Sequence, residues 1–236
     1  MAEPLATSLP FALLLTLANS FLDSYTYLVR GQVFATAQTG NVVFFALKLS
    51  DQQFAAALAH VWPILAFVAG VGLAAHLKSG RMHRHLSHPL RWAIGLQAVV
   101  LGVIGLVPPS VASSAVTIPI SFVAALQIGL FRSIGDLAYV PIATTGNLMR
   151  LVESGYSGFI DNRADSRRAT VVYSSLIATF VVGALVGAVS TRLSGSHAIW
   201  IPAAVLVVTL VMLLIDDHRH SGDESERLSA GVPSLW

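Results

Sequence analysis

The chain has 236 residues, 55% of them hydrophobic and only 11% charged, with a formal net charge of +2. A soluble domain carries about 25% charged residues, so this chain lacks the polar surface to face water and reads as a polytopic membrane protein whose principal partner is the lipid bilayer. Its basic residues lie in loops without interleaved aromatics, which argues against nucleic-acid binding, and the absence of cysteine excludes disulfides and thiolate metal sites.

The first ten residues contain no Lys or Arg, and the apolar segment after them carries Asn19 and Asp23 instead of a small-residue cleavage site. It therefore reads as an uncleaved first span. A span needs about 20 predominantly apolar residues. Six segments qualify or come close: 9–29, 54–76, 92–107, 115–131, 170–190 and 199–215. Pro108-Pro109-Ser110 makes a tight turn between the third and fourth. Trp92 and Trp200 stand at the starts of their spans, where indole rings favour the headgroup region. The polar tail, 217–236, is expected to be a disordered cytoplasmic extension.

Two shorter apolar segments remain, near 34–49 and 142–152. If both dip into the membrane and return, the Lys and Arg residues divide 11 inside to 3 outside. If both cross, the division is 7 to 7, against the positive-inside rule. A seven-span alternative, in which only the first crosses, gives 12 to 2 and stays open on charge alone.

An internal repeat favours treating the two segments alike. Thr39-Gly40-Asn41 recurs as Thr145-Gly146-Asn147, and Phe67-Val68-Ala69-Gly70 is echoed by Phe180-Val181-Val182-Gly183. The resulting expectation is an all-α fold with six transmembrane helices and two re-entrant half-helices in a 3+3 inverted repeat. The first repeat is 1–110 and the second 111–216, with both termini in the cytoplasm. Three spans per repeat is an odd number, so the second repeat runs through the membrane upside down. Transporters built this way bind solute where the repeats meet.

Thr is a good N-cap, Gly permits close backbone approach and Asn both donates and accepts. Thr39 and Thr145 are thus expected to cap short helices whose N-termini favour an anion or polar group; alternatively the two motifs only lock those helices. Thr16, Asn19, Ser20, Asp23 and Tyr27 form a polar stripe on one face of the first span. Asp23, about 9 Å from the end of that span by helical rise, is a candidate for proton or substrate handling, unless Arg30 or Arg132 neutralises it. His60, Gln127 and Arg132 are weaker candidates: a lone buried His is usually a hydrogen-bonded core residue, and Arg132 can pair with Asp136 at i, i+4 if the helix continues. Gly183-x-x-x-Gly187 marks close helix packing. His83, His85 and His88 lack carboxylate partners, so their loop reads as a basic surface facing headgroups. No metal or other cofactor is expected.

The stretch Ser20-Phe21-Leu22-Asp23-Ser24-Tyr25-Thr26-Tyr27-Leu28, followed by Gly31, Val33-Phe34 and Gln38-Thr39-Gly40-Asn41, resembles the YoaK-like family of uncharacterised bacterial multi-pass membrane proteins. Gln127 and Thr145-Gly146-Asn147 carry the likeness into the second half, although Ile128 stands where such proteins are expected to have a polar residue. The resemblance implies a bacterial inner or plasma membrane location and supplies no substrate. The leading expectation is a transporter or channel-like permease for a small polar or anionic solute, not an enzyme. A membrane-embedded enzyme and a non-catalytic scaffold are the alternatives, and a homo-oligomer is compatible with any of the three.

Overall fold

The computed structural model describes residues 5–79, 88–131, 133–139 and 144–229, with side chains described as far as Asp216 and at His218. Among these residues the chain is nearly all helical. In order come α1 (Leu9–Val29), α2 (Gln38–Ser50), α3 (Phe54–Lys78), α4 (Pro89–Ile104), α5 (Ser113–Leu130), α6 (Thr144–Phe159), α7 (Ala164–Ser194) and α8 (Trp200–Ser229). Short 3-10 turns at Leu5–Thr7 and Gly195–Ile199 precede α1 and α8. A two-residue antiparallel ladder, β1 (Ser133–Ile134) and β2 (Leu137–Ala138), follows α5. Each expected span falls within or largely overlaps a helix, but α7 starts at Ala164 instead of 170 and α8 runs on to Ser229 instead of ending at 215.

Among the described residues three stretches are long and apolar enough to cross a membrane: Phe54–Lys78, Ser113–Leu130 and Ala164–Asp216, the last containing α7 and the apolar part of α8. α4 is apolar but shorter. α1 has 21 residues, and its polar side chains Thr16, Asn19, Ser20, Asp23 and Thr26 are all buried in protein. It is the central helix, packed on α7 and α8.

Helix directions follow from the closest contacts. A Cβ on Gly183 would meet Leu17 and Ser20, and one on Gly187 would meet Phe21, so α7 runs parallel to α1 with backbones nearly touching. A Cβ on Gly70 would meet Phe122 and Ala125, and one on Gly129 would meet Ala74, so α3 runs parallel to α5. Phe11 packs edge-on against Phe131 at 4.9 Å, while Gly31 abuts Ser113, so α1 and α5 are antiparallel. The bundle thus has two ends. At the near end, Gly135 N donates to Thr7 O and Leu5 N donates to Asp216. At the far end, Tyr25 reaches Ser196 and Gly105 meets Trp200. α1 finishes and α3 starts at the far end, so α2 leaves and returns on that side. By the same reasoning α6 leaves and returns on the near side.

Several expectations are corrected. Residues 133–138 form a hairpin, with Gly135 at φ 53°, so no helix continues to pair residue 132 with Asp136. Arg132 itself, the 80–87 loop with His83 and His85, and Pro141 lie outside the described residues. The tail expected to be disordered is helical as far as Ser229, and 230–236 lie outside the described residues.

Candidate functional site

After α1 the chain reverses through Gly31 (φ 80°) and Gln32 (φ 60°) and runs back along α1 as extended backbone before α2 begins. Extended chain at membrane depth must satisfy its N–H groups within the protein, and from Phe34 to Gln38 each amide has an acceptor. Phe34 N donates to Asn41 Oδ1 at 3.0 Å, and Ala35 N to Thr26 Oγ1 at 3.1 Å. Asp23 Oδ1 accepts from Thr36 N at 2.7 Å and Ala37 N at 3.2 Å, while Oδ2 accepts from the Thr36 hydroxyl at 2.6 Å. Gln38 N closes the run on Thr36 O. Asp23 therefore holds the approach to α2 with both oxygens. Arg30 does not pair with it: the guanidinium reaches Tyr25 instead.

Asn41 is the second clamp. Its Nδ2 donates to Phe34 O at 2.7 Å and Gln38 Oε1 at 2.9 Å, and its Oδ1 lies 3.3 Å from His60 Nδ1. Because Oδ1 can only accept, the geometry makes Nδ1 of His60 the protonated nitrogen. The His60 ring stacks on Phe44 at 5.5 Å, and Phe44 joins Phe34 and Tyr27 in an aromatic cluster. Asp23, Asn41, His60 and Tyr27 thus form one constellation at the start of α2. Gly40 belongs to it because a Cβ there would strike the Phe34 ring at 2.7 Å.

Thr39 and Thr145 do not cap helices. Ala37 occupies the N-cap position of α2, Thr39 lies exposed in its first turn, and Thr145 is exposed as the second residue of α6. Asp23 instead reaches across from α1 to the two residues before α2, Thr36 and Ala37, and α2 has no side-chain cap. Asn147 is buried, on the face of α6 that packs against α7. α2 packs on α3 and α6 on α7, so the two Thr-Gly-Asn segments share no common interface.

A second polar group lies deeper. Asn19, midway along α1, donates to Leu15 O and, at 3.1 Å, to Gln127 Oε1 on α5. Both side chains are 0% exposed, yet Asn19 Oδ1 and Gln127 Nε2 have no protein partner. Gln97 on α4 and Ser121 on α5 are equally buried, and their side-chain polar atoms are also unpartnered. Ala93 and Leu126 pack in one cluster, which puts Gln97 and Ser121, one turn further on, at the same level. Thr16 is hydrogen-bonded to Tyr139, whose hydroxyl also donates to Ala12 O. At the near end a cleft of about 460 Å³ is lined by Leu9, Ile134, Asp136, Asp165, Arg168 and Val172. Among the described residues no three His, Asp or Glu side chains lie close enough to share a metal ion.

Sequence reasoning missed Thr26, Thr36, Gln97 and Tyr139. Thr26 lies one turn beyond Asp23 and two beyond Asn19 and could have been added to the stripe. Thr36, Gln97 and Tyr139 acquire their roles only through contacts between segments.

The family described as "Protein of unknown function (DUF1275)" matches residues 11–212. The chain belongs to this family. It is also 26% identical over 205 residues to the UPF0700 transmembrane protein YoaK of Bacillus subtilis (strain 168), covering 84% of this chain and 90% of that protein. No solved structure matches. With this relative and its apolar helices, the chain is a membrane protein of the YoaK-like family, and the matched region includes Asp23, Asn41, His60, Asn19 and Gln127.

Proposed function

We propose that this protein is a transporter or channel-like permease for a small polar or anionic solute, with no catalytic role. The reading takes α1, α3, α4, α5, α7 and α8 as six spans and α2 and α6 as re-entrant helices entering from opposite sides. Matching α1–α4 to α5–α8 in order supports the inverted repeat. The α1–α7 pairing then corresponds to α5–α3, α2–α3 to α6–α7, and α4–α5 to α8–α1, while α4–α8 maps onto itself. The echoed Gly70 and Gly183 both lie at the corresponding close contacts. The return of α2 to the end it left favours six spans over seven or eight. The charge division then puts the near end, with both termini, in the cytoplasm; for a YoaK-like protein the membrane is the bacterial inner or plasma membrane.

The observation that carries the reading is the set of buried amides with unpartnered atoms inside the bundle, Asn19 with Gln127 and, more than a turn away at the level of Ser121, Gln97. Buried polar atoms without partners are costly in proteins, and in the membrane interior such residues mark solute or ion pathways. Internal water or a passing solute would supply the missing hydrogen bonds. Gly183 and Gly187 are consumed by contact with α1, so they offer no surface to a partner protein, which weighs against the scaffold alternative.

The test is flux. Purified protein reconstituted into liposomes is screened for uptake of small anions, amino acids and weak acids. Saturable uptake of one class, reduced in Gln127→Leu, is expected. Uptake no faster than in protein-free liposomes across the whole panel would remove the reading.

A further inference from the structure

Arg30 is among the largest fully buried side chains of the molecule, with 1% of its surface exposed. Its Nη2 donates to the Tyr25 hydroxyl at 3.4 Å, and that hydroxyl donates on to Ser196 O at 3.2 Å. Nε and Nη1 have no hydrogen-bond partner, and no carboxylate pairs with the guanidinium among the described residues. Arginine stays protonated in proteins and carries five N–H donors; three of them, one on Nε and two on Nη1, find no acceptor here. A buried cation is retained when it is paired. The last carbonyls of α1, for which Arg30 is the C-cap, offset part of its charge but accept none of those three N–H groups.

A second feature lies at the same end. Gly31, the next residue, abuts Ser113, the first residue of α5, with 3.4 Å between its Cβ position and Ser113 Oγ. α5 has 18 residues, and Ala112 at its N-cap gives no side-chain hydrogen bond to its first turn. A helix N-terminus with free N–H groups favours negative charge. The unpaired guanidinium and the α5 N-terminus thus both lie at the far end of the bundle, the guanidinium on the side of Tyr25 and Ser196.

We propose that this corner binds a small anion, held by the unpartnered Nε and Nη1 of the Arg30 guanidinium. The ligand class is a halide, nitrate or a short carboxylate. The shared chemistry also fits the phosphate of a lipid headgroup, but a side chain only 1% exposed, beside Tyr25 and the Gly195–Ile199 turn, suits a compact free ion. Under the transport reading, the corner would be where an anionic solute first loses its water on the outer side. Binding itself does not depend on that reading.

The test uses purified full-length protein in a non-ionic detergent. Thermal unfolding is followed while sodium chloride, nitrate, acetate or phosphate replaces sodium gluconate at constant ionic strength. A second arm adds short-chain phosphatidylglycerol in gluconate. A saturable rise in Tm with at least one small anion is expected for wild type. Arg30→Gln should weaken the apparent affinity roughly tenfold or more, since it removes charge-assisted hydrogen bonds. Arg30→Lys keeps the cation and should retain the anion dependence, which decides the matter if Arg30→Gln does not fold. The proposal is overturned if no small anion raises Tm in wild type, if phosphatidylglycerol alone does so, or if the anion effect is the same in a folded Arg30→Gln. Because no transport is measured, binding can hold where flux fails, and flux can hold where binding fails.

Discussion

Removing the Asp23 carboxylate gives the sharpest test of how α2 is held. Three donors end on it, the Thr36 and Ala37 amides and the Thr36 hydroxyl, at 2.6–3.2 Å. In Asp23→Ala all three lose their acceptor in a buried site. Each orphaned donor costs about 1–3 kcal/mol, a sum of roughly 3–9 kcal/mol if nothing moves. The extended segment can instead lift away and admit water, so the expected loss is near the lower end, about 3–5 kcal/mol. Asp23→Asn keeps an acceptor for the two amides but turns a donor toward Thr36, whose hydroxyl can rotate to accept; about 1–2 kcal/mol is expected. Thermal unfolding in detergent measures the loss, and hydrogen exchange at Thr36 and Ala37 locates it. Wild-type unfolding and wild-type protection in Asp23→Ala would refute the clamp. A different outcome separates the roles: Asp23→Asn with wild-type stability but no proton-coupled flux would make the carboxylate a proton carrier.

Helix packing, the buried amides and topology each give a further test. Gly183→Ala and Gly187→Ala should each lower stability by about 1–3 kcal/mol, because the added methyls meet the α1 backbone at 2.7–2.8 Å. Gly72→Ala, on the same helix as Gly70 but with nothing within 4 Å, should be neutral or stabilising in the same melts. Asn19→Leu and Gln127→Leu should each cost about 1–3 kcal/mol by stranding the other amide. The double variant should cost less than the sum, and strict additivity would show that the pair is not coupled. A cysteine at Asp165 should react with a membrane-impermeant reagent only after the cells are opened; labelling from outside would overturn the cytoplasmic placement of the near end.

The helices were legible because a lipid-facing span must be a long apolar run, a property a single segment carries by itself. The break before α2 was legible for a related reason: Gly31, the short segment after it and the second Thr-Gly-Asn are local features. What linked them was not. Asp23 looked like a proton site because an intramembrane carboxylate is costly, and its cost is met by backbone donors 13 and 14 residues away. Thr39 looked like a cap by its type and its place before an apolar run, but the helix starts one residue earlier and has no side-chain cap, while Asp23 of α1 holds the two residues before it. The burial of Arg30 had no sequence signal, since a basic residue at the end of a span ordinarily reaches to the interface.

The two halves meet the same physical demand by different means. In the first, extended backbone at membrane depth is satisfied by Asp23, Thr26 and Asn41. α5 contains no Asp or Glu, and Ile128 is buried and apolar. That clamp therefore has no carboxylate counterpart on α5. There the chain leaving α5 forms the β1–β2 hairpin, which is tied back by Gly135 N to Thr7 O, by Tyr139 to Ala12 and Thr16, and by Tyr173 to Ala138 O. An inverted repeat with identical halves would offer a solute equivalent surroundings from either side. This chain instead pairs a carboxylate-clamped turn and a buried guanidinium at one end with a hairpin and a cleft carrying Asp136, Asp165 and Arg168 at the other. On the transport reading, the asymmetry would give a solute different chemistry at the two ends of the bundle, on either side of the buried amides Asn19, Gln97 and Gln127.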